Sequence, residues 1–94
     1  MSDCQRYKIK ITGKVQGVWF RKYTMDKALE LGLKGYVMNL PDGSVYTEAE
    51  SEDPEKLEAF VRWLHTGSPL SKVEKVEVLS ETNCQGDTGF EIRK

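Results

Sequence analysis

Tyr7, Ile9 and Ile11 alternate with Lys8, Lys10 and Thr12, the two-residue period of a strand with one buried face. The alternation stops at Gly13, and a glycine-bearing stretch follows through Gly17 to Trp19. From about Phe20 the apolar spacing lengthens. Phe20, Tyr23 or Thr24, Lys27-Ala28 and Leu31 return at helical intervals, and Gly32 closes the helix where a C-terminal glycine is expected. Leu33 to Leu40 predicts a second strand and Ser44 to Glu50 a third. Pro41-Asp42-Gly43 between them is a turn, in which proline presets φ and glycine accepts a positive one, so the pair forms a hairpin. Asp53-Pro54-Glu55 is a helix start: a capping carboxylate, proline at the first helical position, then an acid facing the helix dipole. Leu57, Phe60, Val61 and Leu64 make one apolar stripe on that helix, which residues 65–69 break. Lys72 to Leu79 predicts a fourth strand and Phe90 to Arg93 a short last one.

The element order β-α-β-β-α-β, with both helices one-sided, predicts an α+β, ferredoxin-like (βαββαβ) sandwich: an antiparallel sheet carrying two helices on one face. In that topology the first two strands run parallel with the third between them, and the fourth lies beside the first. The glycine-bearing loop after the first strand and residues 39–43 therefore meet at one edge of the sheet, and function is sought there.

Composition narrows the classes. Ninety-four residues and 10.7 kDa predict one domain over 1–94. No stretch approaches the about 20 consecutive apolar residues of a membrane span. The first residues lead into the alternating segment instead of an apolar leader core, so a cytoplasmic placement is expected. The net charge of −1 is split: residues 1–34 carry eight Lys/Arg against three Asp/Glu, and residues 35–58 one against seven. A nucleic-acid coat protein has a basic total, which this chain lacks; a local positive site for a small anion fits the uneven spread. Cys4 and Cys84 match no zinc-ligand or CxxC spacing, and P-loop and dinucleotide motifs are absent, so neither metal nor cofactor is expected. The topology brings the two cysteines to the edge far from the glycine loop. A disulfide is permitted there, but a reducing compartment favours two free thiols.

Two features carry candidate chemistry. The segment from Gly13 to Arg21 passes from strand to helix through two glycines, a turn able to point successive N–H groups into one concavity at a helix N-terminus. Arg21 adds a planar fork suited to phosphoryl or carboxylate oxygens, with Lys14 and Lys22 nearby. A plain β–α turn with surface cations accounts for the same spacing. Asn39 shares its parity with Val37, Gly35 and Leu33, so its amide falls on an otherwise apolar side and needs partners. It either caps the hairpin turn or orients a water or a substrate oxygen. Other features are expected to be structural: Trp19 and Phe20 pack the loop onto the core, Trp63 lies partly buried beside the apolar stripe, His65 is at the surface, and the acidic run from Glu48 to Glu58 is a solvated face.

Gly13-Lys14-Val15-Gln16-Gly17-Val18-Trp19-Phe20-Arg21 resembles the acylphosphatase signature G-x-V-Q-G-V-x-[FY]-R, and the stretch from Gly35 to Val45 resembles that family's second motif, G-x-V-x-N-x-x-D-G-x-V. The resemblance extends over nearly the whole chain and implies the same βαββαβ fold. It also implies metal-independent hydrolysis of the carboxyl–phosphate bond of a small-molecule acyl phosphate, by a monomer, giving a carboxylate and inorganic phosphate. By position, Arg21 is implied to bind the phosphoryl oxygens together with the backbone N–H groups of Val15, Gln16, Gly17, Val18, Trp19 and Phe20. Asn39 is implied to hold the attacking water, and the substrate's own phosphate to take the proton. The alternative is a non-catalytic anion-binding module on the same fold. RNA recognition calls for aromatic central strands with basic flanks, unlike Val45-Tyr46-Thr47-Glu48-Ala49-Glu50, and a metal chaperone calls for the absent CxxC.

Overall fold

The computed structural model describes residues 4–94; Met1 to Asp3, on which the reading of the chain's start partly rests, lie outside the described residues. The elements follow the expected order: β1 (Gln5–Lys14), α1 (Phe20–Glu30), β2 (Lys34–Asn39), β3 (Val45–Ser51), α2 (Pro54–Thr66), β4 (Lys72–Asn83) and β5 (Phe90–Arg93). The sheet order is β4-β1-β3-β2-β5. β3 pairs antiparallel with both β1 and β2, and β1 antiparallel with β4. β5 runs parallel to β2, so the sheet is mixed and not wholly antiparallel as expected. The direction follows from connectivity. β4 ends at the end of the sheet where β2 begins, and a chain crossing from there re-enters alongside β2.

The helices cover one face, α2 against β4 and β3, α1 against β2 and β5. Ile9 and Ile11, Val45 and Ala49, and Val37 point into this layer beneath Phe20, Ala28, Leu57, Phe60 and Leu64, all buried. The stripe of α2 is the expected one. Its cap is also as read: Asp53 Oδ1 accepts from the Glu55 N–H at 3.0 Å. α1 buries Phe20, Thr24 and Ala28, a narrower stripe of three residues spaced four apart. β1 does not end at Gly13. The strand continues to Lys14, with a register shift against β4 at Gly13, whose φ is 131°. A Cβ there would sit 2.2 Å from the Lys72 carbonyl oxygen, so only glycine permits the approach. β4 outruns its predicted end because its polar second half, Ser80 to Asn83, pairs with the start of β1, and an edge strand needs no apolar alternation on its solvent side.

The other face overturns one expectation. Glu48 and Glu50 are not solvated; they are 7% and 4% exposed, on either side of Arg6 at 1%. Arg6 donates from Nε to Glu48 Oε1 and from Nη1 to Glu50 Oε1, each at 2.6 Å, and from Nη1 to Asp87 at 3.2 Å. Tyr36 and Tyr46 hydroxyls donate to Glu48 Oε2 at 2.8 and 2.7 Å, and the N–H groups of Gln85 and Gly86 donate to Glu50. The segment after β4 therefore crosses the open face, tied at its start by a Cys4–Cys84 disulfide, which corrects the expectation of free thiols. Burial pushes both carboxyl groups up. Hydrogen bonds from Arg6 and the two tyrosines at Glu48, and from the loop N–H groups and Arg6 at Glu50, outweigh it and hold both below the usual range.

Two outcomes follow from this cluster. Arg6→Met strands two buried carboxylates and is expected to lower unfolding free energy by about 3–5 kcal/mol in urea titrations at pH 7; a loss below about 1 kcal/mol, the size for an exposed pair, contradicts the network's role. Because the folded carboxyl groups titrate below their unfolded value of about 4.3, the stability they contribute is full above that value. It is expected to fall as pH drops through the lower folded values. Urea midpoints that stay flat from pH 7 to pH 3 count against it.

Candidate active site

β3 lies between β1 and β2, and at its start Val45 registers with Ile11 of β1 on one side and Asn39 of β2 on the other. Strands in a sheet lie about 4.8 Å apart, so Ile11 near the end of β1 and Asn39 are held about two strand spacings apart. The loop leaving β1 closes over this edge before entering α1. Its turns are left-handed at Gly17 (φ 73°) and Trp19 (φ 63°), and Trp19 is the N-terminal boundary of the helix.

The loop is fastened from both sides. Gln16 Nε2 donates to the carbonyl oxygens of Leu40 and Ser44 at 2.8 and 2.7 Å, locking the loop to the hairpin. From the opposite side the buried Ser68 hydroxyl donates to the Val18 carbonyl at 2.8 Å. The hairpin turn is itself held by Asp42, whose Oδ1 accepts from the Ser44 N–H and hydroxyl, and which pairs with Lys10 at 2.9 Å. Those Ser44 contacts, then Lys10, keep the Asp42 carboxyl well below the usual range. Among the described residues, no hydrogen bond engages the N–H groups of Gln16 to Phe20.

A cleft of about 420 Å³ opens at this edge, lined by Val15, Gly17, Trp19, Phe20, Arg21, Lys22, Asn39 and Ile92. Arg21 donates from Nη1 to the Arg93 carbonyl at 3.2 Å and makes no ion pair among the described residues. Asn39 Oδ1 is buried without a hydrogen-bond partner, so the amide does not cap the turn; Gln16 and Asp42 do that. Such an orphaned acceptor is uncommon, and this one lies at the cleft that Arg21 also lines.

The structure thus gathers Arg21, Asn39 and the loop of Val15 to Phe20 into one place. Phe20 and Val15 are buried beneath the loop as core residues, but Trp19 is 69% exposed and does not pack the loop onto the core as expected. Trp63 is half-buried against Phe20, with ring centroids 6.1 Å apart. Lys14 is not part of the lining. Ile92 and Ser68 carry no functional signal of their own in the sequence: Ile92 reaches the cleft only through the parallel placement of β5, and Ser68 meets the Val18 carbonyl behind the loop only through the turn after α2. Histidine, cysteine or acidic ligand atoms come within metal-binding reach of one another at Cys4, Glu50 and Cys84, at the other end of β1, where the two sulfurs are joined. No helix of the described residues is long and apolar enough to cross a membrane.

The acylphosphatase family model matches residues 7–92. An acylphosphatase of Anaeromyxobacter dehalogenans is 47% identical over 94 residues, covering 99% of each chain, and one of Natronomonas pharaonis is 45% identical over 95 residues, covering each completely. The crystal structure of acylphosphatase from Bacillus subtilis superposes with a TM-score of 0.92 at 36% identity, over 96% of this chain and 99% of that one. Matched along its length in sequence and in fold, the chain belongs to the acylphosphatase family, and it is an enzyme that hydrolyses acyl phosphates.

Proposed function

We propose that Arg21 and the N–H groups of Val15 to Phe20 bind the phosphoryl group of the acyl phosphate while Asn39 positions the attacking water. The observation that carries this reading is the buried, unpartnered Asn39 Oδ1 at the cleft that Arg21 lines. An amide oxygen accepts a hydrogen bond from water and so leaves a lone pair of the water oxygen to face phosphorus. Arginine's remaining donors and the unengaged loop N–H groups supply positive charge beside the negative charge that is spread over the phosphoryl oxygens in a loose transition state.

The bond from the water oxygen to phosphorus forms as the bond from phosphorus to the acyl oxygen breaks, and that electron pair leaves with the carboxylate. One water proton passes to a phosphoryl oxygen, giving dihydrogen phosphate. The leaving carboxylate is a weak base, since carboxylic acids titrate near pH 4, so no general acid is required. No strong base lines the cleft, and none is needed if the phosphate takes the proton. The lining offers no carboxylate, thiolate or imidazole to hold a cation, which supports turnover without a metal. Every group comes from one chain, which supports action as a monomer.

With benzoyl phosphate in EDTA, Arg21→Ala is expected to lower kcat/KM about a thousandfold or more. Arg21→Lys restores little of it, because an ammonium is a point charge without the fork. Near-normal turnover by Arg21→Ala at saturating substrate overturns the assignment. Asn39→Ala is expected to lower kcat about a hundredfold, the scale for misplacing a reactant, while inhibition by inorganic phosphate changes little. If phosphate affinity drops as far as kcat does, Asn39 binds the phosphoryl group instead of the water.

A further inference from the structure

Trp19 has no folding rationale where it stands. It is the one non-glycine residue with positive φ among the described residues, a conformation that favours glycine or asparagine. At the boundary of α1 it makes no side-chain capping bond, where Ser, Thr, Asp or Asn is the usual choice. Its ring is neither buried nor capping; it stands 69% exposed at the rim of the cleft. Strained residues that the fold does not require concentrate at binding and catalytic sites.

The cleft's lining explains what such a ring could meet. Its polar side chains are Arg21, Lys22 and Asn39, and the others are apolar: Val15, Phe20, Trp19 and Ile92. Val15 and Phe20 are fully buried, so Trp19 and Ile92, the latter 39% exposed, are the apolar groups open to a ligand. Lys22 Nζ pairs with the exposed Asp26 at 2.9 Å along the helix. The cleft of about 420 Å³ exceeds what a phosphoryl group alone occupies and falls within the ~300–1,000 Å³ of small-molecule sites.

We propose that Trp19 and Ile92 form the wall that receives the acyl group, so that these two side chains set how far an aromatic acyl group is favoured over a methyl one. The inference rests on the assignment of the phosphoryl end to Arg21 and Asn39. An aromatic acyl group stacks on the indole face and is shielded by the isoleucine, whereas a methyl group reaches neither.

The test is the ratio of kcat/KM for benzoyl phosphate to that for acetyl phosphate. A ratio cancels any effect that a substitution at Trp19 has on the phosphate loop itself. Trp19→Gly, which suits the left-handed backbone, is expected to lower the ratio about five- to tenfold, the size of an aromatic pair, chiefly through KM for benzoyl phosphate. Trp19→Phe keeps most of the ratio. Ile92→Ala, outside the loop, lowers it in the same direction and provides the test if Trp19→Gly folds poorly. A ratio unmoved in Trp19→Gly and Ile92→Ala, with both substrates falling together or not at all, overturns the acyl wall and leaves the phosphoryl assignment standing. Turnover of acetyl phosphate that persists in Arg21→Ala strikes the phosphoryl assignment instead.

Discussion

β3 is inserted between two strands that precede it in the chain, and the site depends on that insertion. With β3 antiparallel to both neighbours, β1 and β2 must run the same way and end at the same edge. Val45 registers with Ile11 on one side and Asn39 on the other, so a polar side chain at the end of β2 is fixed relative to the loop that leaves β1. A slip of one residue in the β2–β3 ladder would turn Asn39 to the opposite face of the sheet. The edge that carries the cleft is thus placed by the hydrogen-bonded sheet beneath it.

Rigidity suits the chemistry. An acyl phosphate already carries a good leaving group, so the enzyme needs positioning and charge more than a base or a moving lid. The loop is held on one side by Gln16 and on the other by Ser68, and both use side chains or carbonyl oxygens. The backbone N–H groups of Gln16 to Phe20 are left uncommitted by the same arrangement, as an anion cradle requires.

The face away from the helices contributes at a distance. Arg6 holds Glu48 and Glu50 together under the segment that follows β4, and that segment carries the chain across the sheet to β5. β5 then places the Arg93 carbonyl beside Arg21 and Ile92 at the cleft. The uneven charge along the chain has its explanation here: the basic first strand pairs with the acidic third, with Arg6 registering on Glu50 and Lys8 on Glu48.

Much was legible in one dimension because it depends on local periodicity and turn chemistry. The two-residue alternation of β1, the stripe and cap of α2, the Pro41-Asp42-Gly43 turn and the element order are set by neighbours in sequence, and so was the meeting of the glycine loop with Asn39. What only the tertiary structure decided involves groups far apart in the chain. The burial of Glu48 and Glu50 requires Arg6 more than forty residues away; an acidic strand face with no visible partner reads as solvated. The parallel direction of β5 and the Cys4–Cys84 bond depend on where β4 ends, which its polar second half conceals. Trp19 reads as core by its hydrophobicity, yet the left-handed backbone of the loop places it outward. Periodicity reports which side of an element is apolar, and the register between elements decides which polar groups find one another.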